Sequence, residues 1–360
     1  MTVIDCRGPG RERGLAHGEE VRPLIADAVA RWEEATLGRR AEPAGIRTYA
    51  SRFLAETRLM AAVERTLPEL TEEIRGIADG AGLPFEVIAA YNLMDEQWWY
   101  DAGPQSGVGG EPGCSVLARS AGGRTLLAQN MDLPAFMDGS QVVLRVRAPG
   151  EPEALVLSAA GMVGLTGVNR AGVAVCVNTL LMLRHNPSGL PVVAAIRAAL
   201  RACTARDAVG VLRAVDHASG QHYAVADRGS VTGLECSAAG CTVSPESRPS
   251  ELLHTNHPLA SEDVDTAAWA WLAEQGRLED SRTRLAFLGK RGAGVTGPDD
   301  VIALLSDPAT PLAMRPTERR PSETFASVLY SLADEPAAAF CLGAPGRAEW
   351  ERIPFADRGE

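Results

Sequence analysis

Residues 101–113, DAGPQSGVGGEPG, contain five glycines and two prolines, and neither the helical period of 3.6 residues nor the strand period of two can run through them. The segment reads as an exposed, flexible loop, and it divides a chain with two rhythms. Before it, residues 10–100 read as helical: Val21, Leu24, Ile25, Ala28, Val29 and Trp32 recur at the three-and-four spacing of one buried stripe, and further helices are predicted near 46–66, 70–80 and 84–98. After it, SVLAR, TLLAQNM, QVVLRVR, EALVLSA and GVAVCVNTL are separated by turn residues such as Gly122-Gly123 and Asn169-Arg170-Ala171-Gly172, a strand pattern. Helical patterns return at about 190–215 and 261–305, around strands near 221–227, 231–236 and 251–255, and strands near 324–332 and 337–342 end the series. Helices and sequential strands in blocks predict α+β layers.

Composition narrows the function classes. The chain has 360 residues, 46% hydrophobic and 22% charged, enough for one large domain or two ordinary ones. No stretch approaches the ~18 uninterrupted apolar residues of a membrane helix. With 35 basic and 46 acidic residues the net charge is -11, which repels phosphate backbones, and no basic stripe compensates, so neither nucleic acid nor membrane is expected as a partner. The start, MTVIDCRGPGRERG, lacks an apolar signal region, which points to the cytoplasm. Seven scattered cysteines (Cys6, Cys114, Cys176, Cys203, Cys236, Cys241 and Cys341) include no CxxC pair, so free thiols are expected rather than disulfides or a structural metal.

The chemistry gathers at the first predicted hairpin. With Gly122-Gly123 as a two-residue turn, antiparallel pairing sets opposite each other residues whose numbers sum to about 245. Leu127 then faces Ala118, and Met131 faces Cys114, with Asn130 and Asp132 on either side of the thiol at the open end. Cys114 therefore begins a strand directly after the glycine-rich loop, with a carboxylate and an amide delivered beside it.

Several stretches resemble the acyl-coenzyme A:6-aminopenicillanic acid acyltransferase family, also called peptidase family C45, within the N-terminal-nucleophile hydrolases. They are Arg13-Gly14-Leu15-Ala16-His17-Gly18, Glu73-Ile74-Arg75-Gly76-Ile77-Ala78, Gly113-Cys114-Ser115, Gln129-Asn130-Met131-Asp132, residues 167–175 (GVNRAGVAV), Asn178, His254-Thr255-Asn256-His257 and residues 324–330 (TFASVLY). Each fragment is weak alone, and their order and spacing are specific. The resemblance implies one domain over 1–360 with a four-layer αββα sandwich of two antiparallel sheets. It also implies a zymogen that cuts itself between Gly113 and Cys114 into fragments 1–113 and 114–360, which stay together as a heterodimer. The implied activity is hydrolysis or acyl transfer at linear amides through a Cys114 thioester, without cofactor or metal, on a small-molecule amide or acyl-thioester. The other reading left open is an uncleaved member acting as a binding or assembly partner.

The residue types suit that chemistry. Glycine at 113 leaves room for thiol attack on its carbonyl and tolerates a strained backbone. After cleavage the α-amine of Cys114, with a reference pKa of about 7.7–8.0, can take the proton of its own thiol. The resemblance assigns Asn256 to the oxyanion, Asp132 to the α-amine, and supporting places to Asn130 and Asn178. It also implies a basic residue just before TFASVLY; Pro321 aligns there, so Arg320 or Arg319 must serve or the role is lost. Arg282 and Arg284 read as helix-surface ion pairs.

Trp98, Trp99 and Tyr100 stand just ahead of the loop and are candidates to line an acyl pocket, although three adjacent aromatics cannot share one side. His254 and His257 form HxxH, but at a strand end their side chains diverge, so no zinc site is expected.

Overall fold

A computed structural model describes residues 1–38, 45–101, 113–244, 250–318, 321–344 and 346–357. Strand β1 (Val3–Arg7) leads into α1 (Gly10–Glu20), α2 (Arg22–Leu37), α3 (Ile46–Glu56), α4 (Leu59–Thr66), α5 (Pro68–Ala81), α6 (Phe85–Asn92) and α7 (Met94–Tyr100). Strands β2 (Ser115–Ala121), β3 (Arg124–Pro134), β4 (Gln141–Arg147), β5 (Ala154–Ala159), β6 (Thr166–Asn169) and β7 (Ala174–Thr179) precede α8 (Val192–Ala199) and α9 (Ala205–Arg213). Then come β8 (Gln221–Ala226), β9 (Val231–Ser237), β10 (Gly240–Val243), β11 (Glu251–His254), α10 (Thr266–Glu274), α11 (Arg277–Arg291) and α12 (Pro298–Ser306), and β12 (Ser322–Leu332), β13 (Ala337–Leu342) and β14 (Trp350–Ile353) complete the described elements.

The strands form two sheets, in the orders β1-β4-β5-β6-β7-β8-β9-β10 and β11-β2-β3-β12-β13-β14. Neighbours run antiparallel except β1, which pairs parallel with β4, so the expectation of wholly antiparallel sheets is corrected at one edge. The sheets face each other: the His254 and His222 rings stack at 3.6 Å between them, and Gln129 of β3 donates to the Val177 carbonyl of β7. Helix α9 covers β8 and β9, whereas α11 lies on β2 and β11 and α12 on β3 and β12. This is the four-layer α+β sandwich that the resemblance implies. Its largest apolar core draws on residues from Ile4 to Ile353, on both sides of Gly113. Among the described residues no helix is long and apolar enough to cross a membrane.

The glycines of the first two family-like stretches serve helix packing. A Cβ on Gly14 would stand 1.9 Å from the Glu73 carbonyl oxygen, and one on Gly76 would stand 2.2 Å from that of Arg11. Helices α1 and α5 therefore touch backbone to backbone, which any side chain there would prevent. The other residues of those stretches lock the contact. Buried Glu73 accepts from Arg13 Nε at 2.9 Å and from both terminal nitrogens of Arg197 at 2.7 and 2.9 Å. Burial alone would raise the Glu73 carboxyl, but Arg197 and then Arg13 more than offset it and hold it below the usual range.

One cysteine expectation fails. Cys236 and Cys241 form a disulfide, because Ala238 and Ala239 make a two-residue turn that places the two residues directly opposite on β9 and β10. The ligand atoms of His217 lie close to both sulfurs, yet a disulfide offers no thiolate to a metal. The remaining five cysteines are free.

Candidate active site

Gly122 and Gly123 have φ of 60° and 74°, the left-handed pair that a tight hairpin turn requires. The β2–β3 ladder then runs in the expected register, with Ala118 opposite Leu127 and Ser115 opposite Asn130, and it delivers Cys114 beside Met131 at the open end. On the far side of β3, a register shift between Thr324 and Ala326 keeps Thr324 opposite Asp132. The Thr324 hydroxyl donates to Asp132 Oδ1 at 2.6 Å. The other oxygen, Oδ2, lies 2.7 Å from where a Cβ on Gly113 would stand, so Asp132 borders the peptide that joins Gly113 to Cys114.

Asn256 follows β11 and reaches the same place. Its Nδ2 donates to the Thr179 carbonyl at 3.1 Å, its backbone N–H donates to Ser281 Oγ at 2.8 Å, and its Oδ1 accepts from Arg284 Nη2 at 3.0 Å. One amide hydrogen remains for a ligand. Arg284 is the residue at this site that the sequence reading misplaced. It is buried, not a surface ion pair: Nη1 donates to the Cys114 carbonyl at 2.7 Å and to Ser115 Oγ at 3.1 Å, while Nε pairs with Asp280 at 3.0 Å. The signal lay in its spacing, since the buried residues of α11 are Leu278, Ser281, Arg284 and Leu288, and an arginine inside an apolar stripe needs internal acceptors.

The Cys114 thiol is buried, and burial and then the Asp132 charge push it up to about 12. In the unbroken chain it is therefore a neutral thiol at pH 7. Its weak contact is with the Asp132 carbonyl at 3.8 Å.

The other expected residues divide. Asn130 supports the frame, donating to the Leu305 and Leu312 carbonyls at 3.1 and 3.0 Å and accepting from Ser327 Oγ at 2.6 Å. Asn178 Oδ1 pairs with His222 Nδ1 at 2.9 Å. Trp98 lines the cavity described below, whereas Trp99 packs edge-on against Trp98 and Tyr100 bonds Glu56 at 2.6 Å, away from it. Arg319 and Arg320 lie outside the described residues, as does all of the loop except Asp101 and Gly113. His254 faces Glu235 at 2.9 Å and the Thr255 carbonyl at 2.6 Å, and His257 faces Ser281 Oγ at 2.7 Å, so the HxxH pair diverges into structural contacts.

Cys114 and Asp132 open on a cavity of about 450 Å³. Its walls are largely apolar, from Trp32, Met94, Trp98, Leu133, Phe136 and Leu181. A thiol, an oriented amide, a carboxylate and a largely apolar cavity are the parts needed to capture an acyl group and stabilise the oxyanion of its transfer.

The profile of the family described as acyl-coenzyme A:6-aminopenicillanic acid acyl-transferase matches residues 119–347, beginning inside β2. A relative from Emericella nidulans, the acyl-coenzyme A:6-aminopenicillanic-acid-acyltransferase 40 kDa form, is 26% identical over 285 residues, 78% of this chain and 76% of its own. Among solved structures, the Caenorhabditis elegans ortholog of N-acylethanolamine-hydrolyzing acid amidase is 16% identical over 60% of this chain and 92% of its own, with a TM-score of 0.41. Penicillin V acylase from Agrobacterium tumefaciens is 14% identical over 67% of this chain and 86% of its own, with a TM-score of 0.43.

Proposed function

The chain belongs to the acyl-coenzyme A:6-aminopenicillanic acid acyl-transferase family, and from that premise we propose that it is a self-processing cysteine amidohydrolase or acyltransferase acting on linear amides. The observation that supports this reading is that Cys114 and Asp132 line the apolar cavity while Arg284 ties the Cys114 carbonyl to the Asn256 amide.

In the processing step the Cys114 sulfur adds to the Gly113 carbonyl carbon, the bond from that carbon to the Cys114 nitrogen breaks, and the thiol proton ends on the freed nitrogen. Water then hydrolyses the Gly113 thioester and leaves fragments 1–113 and 114–360 associated through their shared core. Asp132 borders the cut and lies beside the new α-amine, whose ammonium form its charge stabilises once the amine has taken a proton.

In turnover the α-amine accepts the thiol proton, which removes the obstacle that burial sets in the intact chain. The thiolate adds to the substrate carbonyl, and the free hydrogen of Asn256 Nδ2 meets the oxyanion. Arg284 acts as a positioning residue: it fixes which way the Asn256 amide points and anchors the Cys114 carbonyl. The amine leaves with a proton, and water resolves the thioester in hydrolysis, whereas a second amine resolves it in acyl transfer. An acyl-thioester could enter as donor by the same route.

The test is a denaturing gel with amino-terminal sequencing. Purified protein should give two pieces, the larger reading Cys114-Ser115-Val116, and Cys114→Ala should remain one inactive band. A fully active protein that stays in one piece would defeat the mechanism, and an inactive single chain would favour a binding or assembly role.

A further inference from the structure

Asp95 and Glu96 lie side by side at the start of α7, packed against β7 and β8, and no cation pairs with either among the described residues. The Asp95 carboxylate accepts from Thr179 Oγ1 at 3.2 Å and from Gln221 Nε2 at 2.5 Å. Glu96 Oε1 accepts from the Val192 N–H at 3.0 Å and Ser219 Oγ at 2.9 Å, while Glu96 Oε2 is buried with no partner. All four donors are neutral. Of the two acids only Asp95 opens on the cavity, where it shares the space with Cys114. Among the described residues the cation on that wall is Arg31, which is occupied by Asp27 at 3.0 Å and by the Asp138 carbonyl.

A buried carboxylate without a cation is costly, so it either keeps a proton or awaits a positive partner. The pair does both. Burial, and then the charge of Asp95, push Glu96 up to about 8, so Glu96 keeps its proton at neutral pH; burial also raises the Asp95 carboxyl, against the hydrogen bonds from Gln221 and Thr179, which leaves Asp95 as the acid that a cation entering the cavity would meet. Two donors leave acceptor sites of Asp95 unused.

Thr179 fixes the distance along the substrate. Its hydroxyl meets Asp95, and its backbone carbonyl meets Asn256 Nδ2, the amide assigned to the oxyanion. A group bound by Asp95 therefore sits a short chain away from the reacting carbonyl. The acyl half is the part that stays on sulfur while the amine departs, so it is the half that the enclosed wall holds.

We propose that Asp95 is a specificity residue that selects acyl groups in which an apolar side chain is accompanied by an ammonium group near the scissile carbonyl, as in the amides of apolar amino acids. This rests on the acyl-transfer reading above for its catalytic meaning, but the recognition itself can be read without turnover. Trp32 and Trp98 line the cavity, so their fluorescence reports occupancy.

The probes are phenylalaninamide and 3-phenylpropanamide, which differ by the amino group, titrated into Cys114→Ala at pH 7. Phenylalaninamide should bind about 10- to 100-fold more tightly, the range expected for a hydrogen bond to a charged partner. In Cys114→Ala carrying Asp95→Asn the preference should vanish. Equal binding of the two amides with Asp95 intact overturns the proposal even where Asp95→Asn fails to fold, and an unchanged preference in a folded Asp95→Asn overturns it as well. Failure of wild-type protein to turn over either amide counts against the enzymatic reading and leaves the binding result to decide this one.

Discussion

The guanidinium of Arg284 donates to the carbonyl of Cys114 at 2.7 Å, across 170 residues of sequence, and the same group donates to Asn256 Oδ1. Cys114 and the Asn256 amide are thus held by one rigid fork, whose donors are fixed in relation to each other.

The first prediction concerns that unit. Asn256→Ala should keep its fold and lose about 10²–10³ in kcat, the usual cost of one oxyanion donor. Arg284→Met should fall by a comparable factor because it releases the Asn256 amide. The double variant should be little worse than either single one, since residues that act as a unit are not additive. Independent, multiplicative losses in steady-state kinetics would separate the two residues.

Asp132→Asn keeps the shape of the side chain and removes the charge beside the Gly113–Cys114 peptide. Turnover should fall far more than the melting temperature, because the exchange leaves an oxygen for the Thr324 hydroxyl while the α-ammonium formed after cleavage loses its counterion. Activity equal to wild type between pH 6 and 9 would remove Asp132 from the site.

How much of this was legible in the sequence depends on how local each signal is. The β2–β3 register follows from Gly122-Gly123 and the period of two, and it placed Cys114, Asn130 and Asp132 correctly along the strands. Which face each side chain serves was less accessible: Asn130 meets the carbonyls of Leu305 and Leu312, more than 170 residues away, and no local pattern announces them. Arg284 reads from the sequence as a helix-surface ion pair, and Asp280 does pair with it, but its place in the apolar stripe of α11 turns it inward. The short strands β1, β10 and β14 carry too few residues to show a period, and their pairing is decided by the sheet edges they complete. The Cys236–Cys241 bond depends on the pairing of β9 with the four-residue β10, too short to show a period, although Ser237 and Gly240 flank the turn between them.

A third prediction reads the buried acid pair through stability. Glu96 titrates near 8 in the folded protein against 4.5 as the reference, so between those values the native state keeps a proton that the unfolded chain releases. Stability should therefore decline as pH rises from about 4.5 to about 8. Glu96→Gln retains an oxygen for Val192 N–H and Ser219 and cannot ionise, so it should match wild type near pH 5 and melt at a higher temperature at pH 8.5. Parallel melting curves for the two proteins across that window would show that Glu96 is not the group responsible.

The last prediction tests why residue 113 is glycine. A Cβ there would stand 1.9 Å from Met314 Cε, 2.9 Å from Met314 Sδ and 2.7 Å from Asp132 Oδ2. The methionine end is flexible and can swing aside. The Asp132 carboxylate cannot, because its other oxygen is held by Thr324 on the neighbouring strand. Gly113→Ala should therefore fold, with its Cys114 strand pairing preserved, but should cleave itself more slowly than wild type, since the added methyl displaces the carbonyl from the thiol or the carboxylate from both. Met314→Ala in the same chain should restore part of the rate by removing one of the two obstacles, and Gly113→Val should not be rescued. The measurement is the fraction of uncut chain on a denaturing gel over time after synthesis. Cleavage of Gly113→Ala at the wild-type rate would mean that the room around residue 113 does not limit the attack.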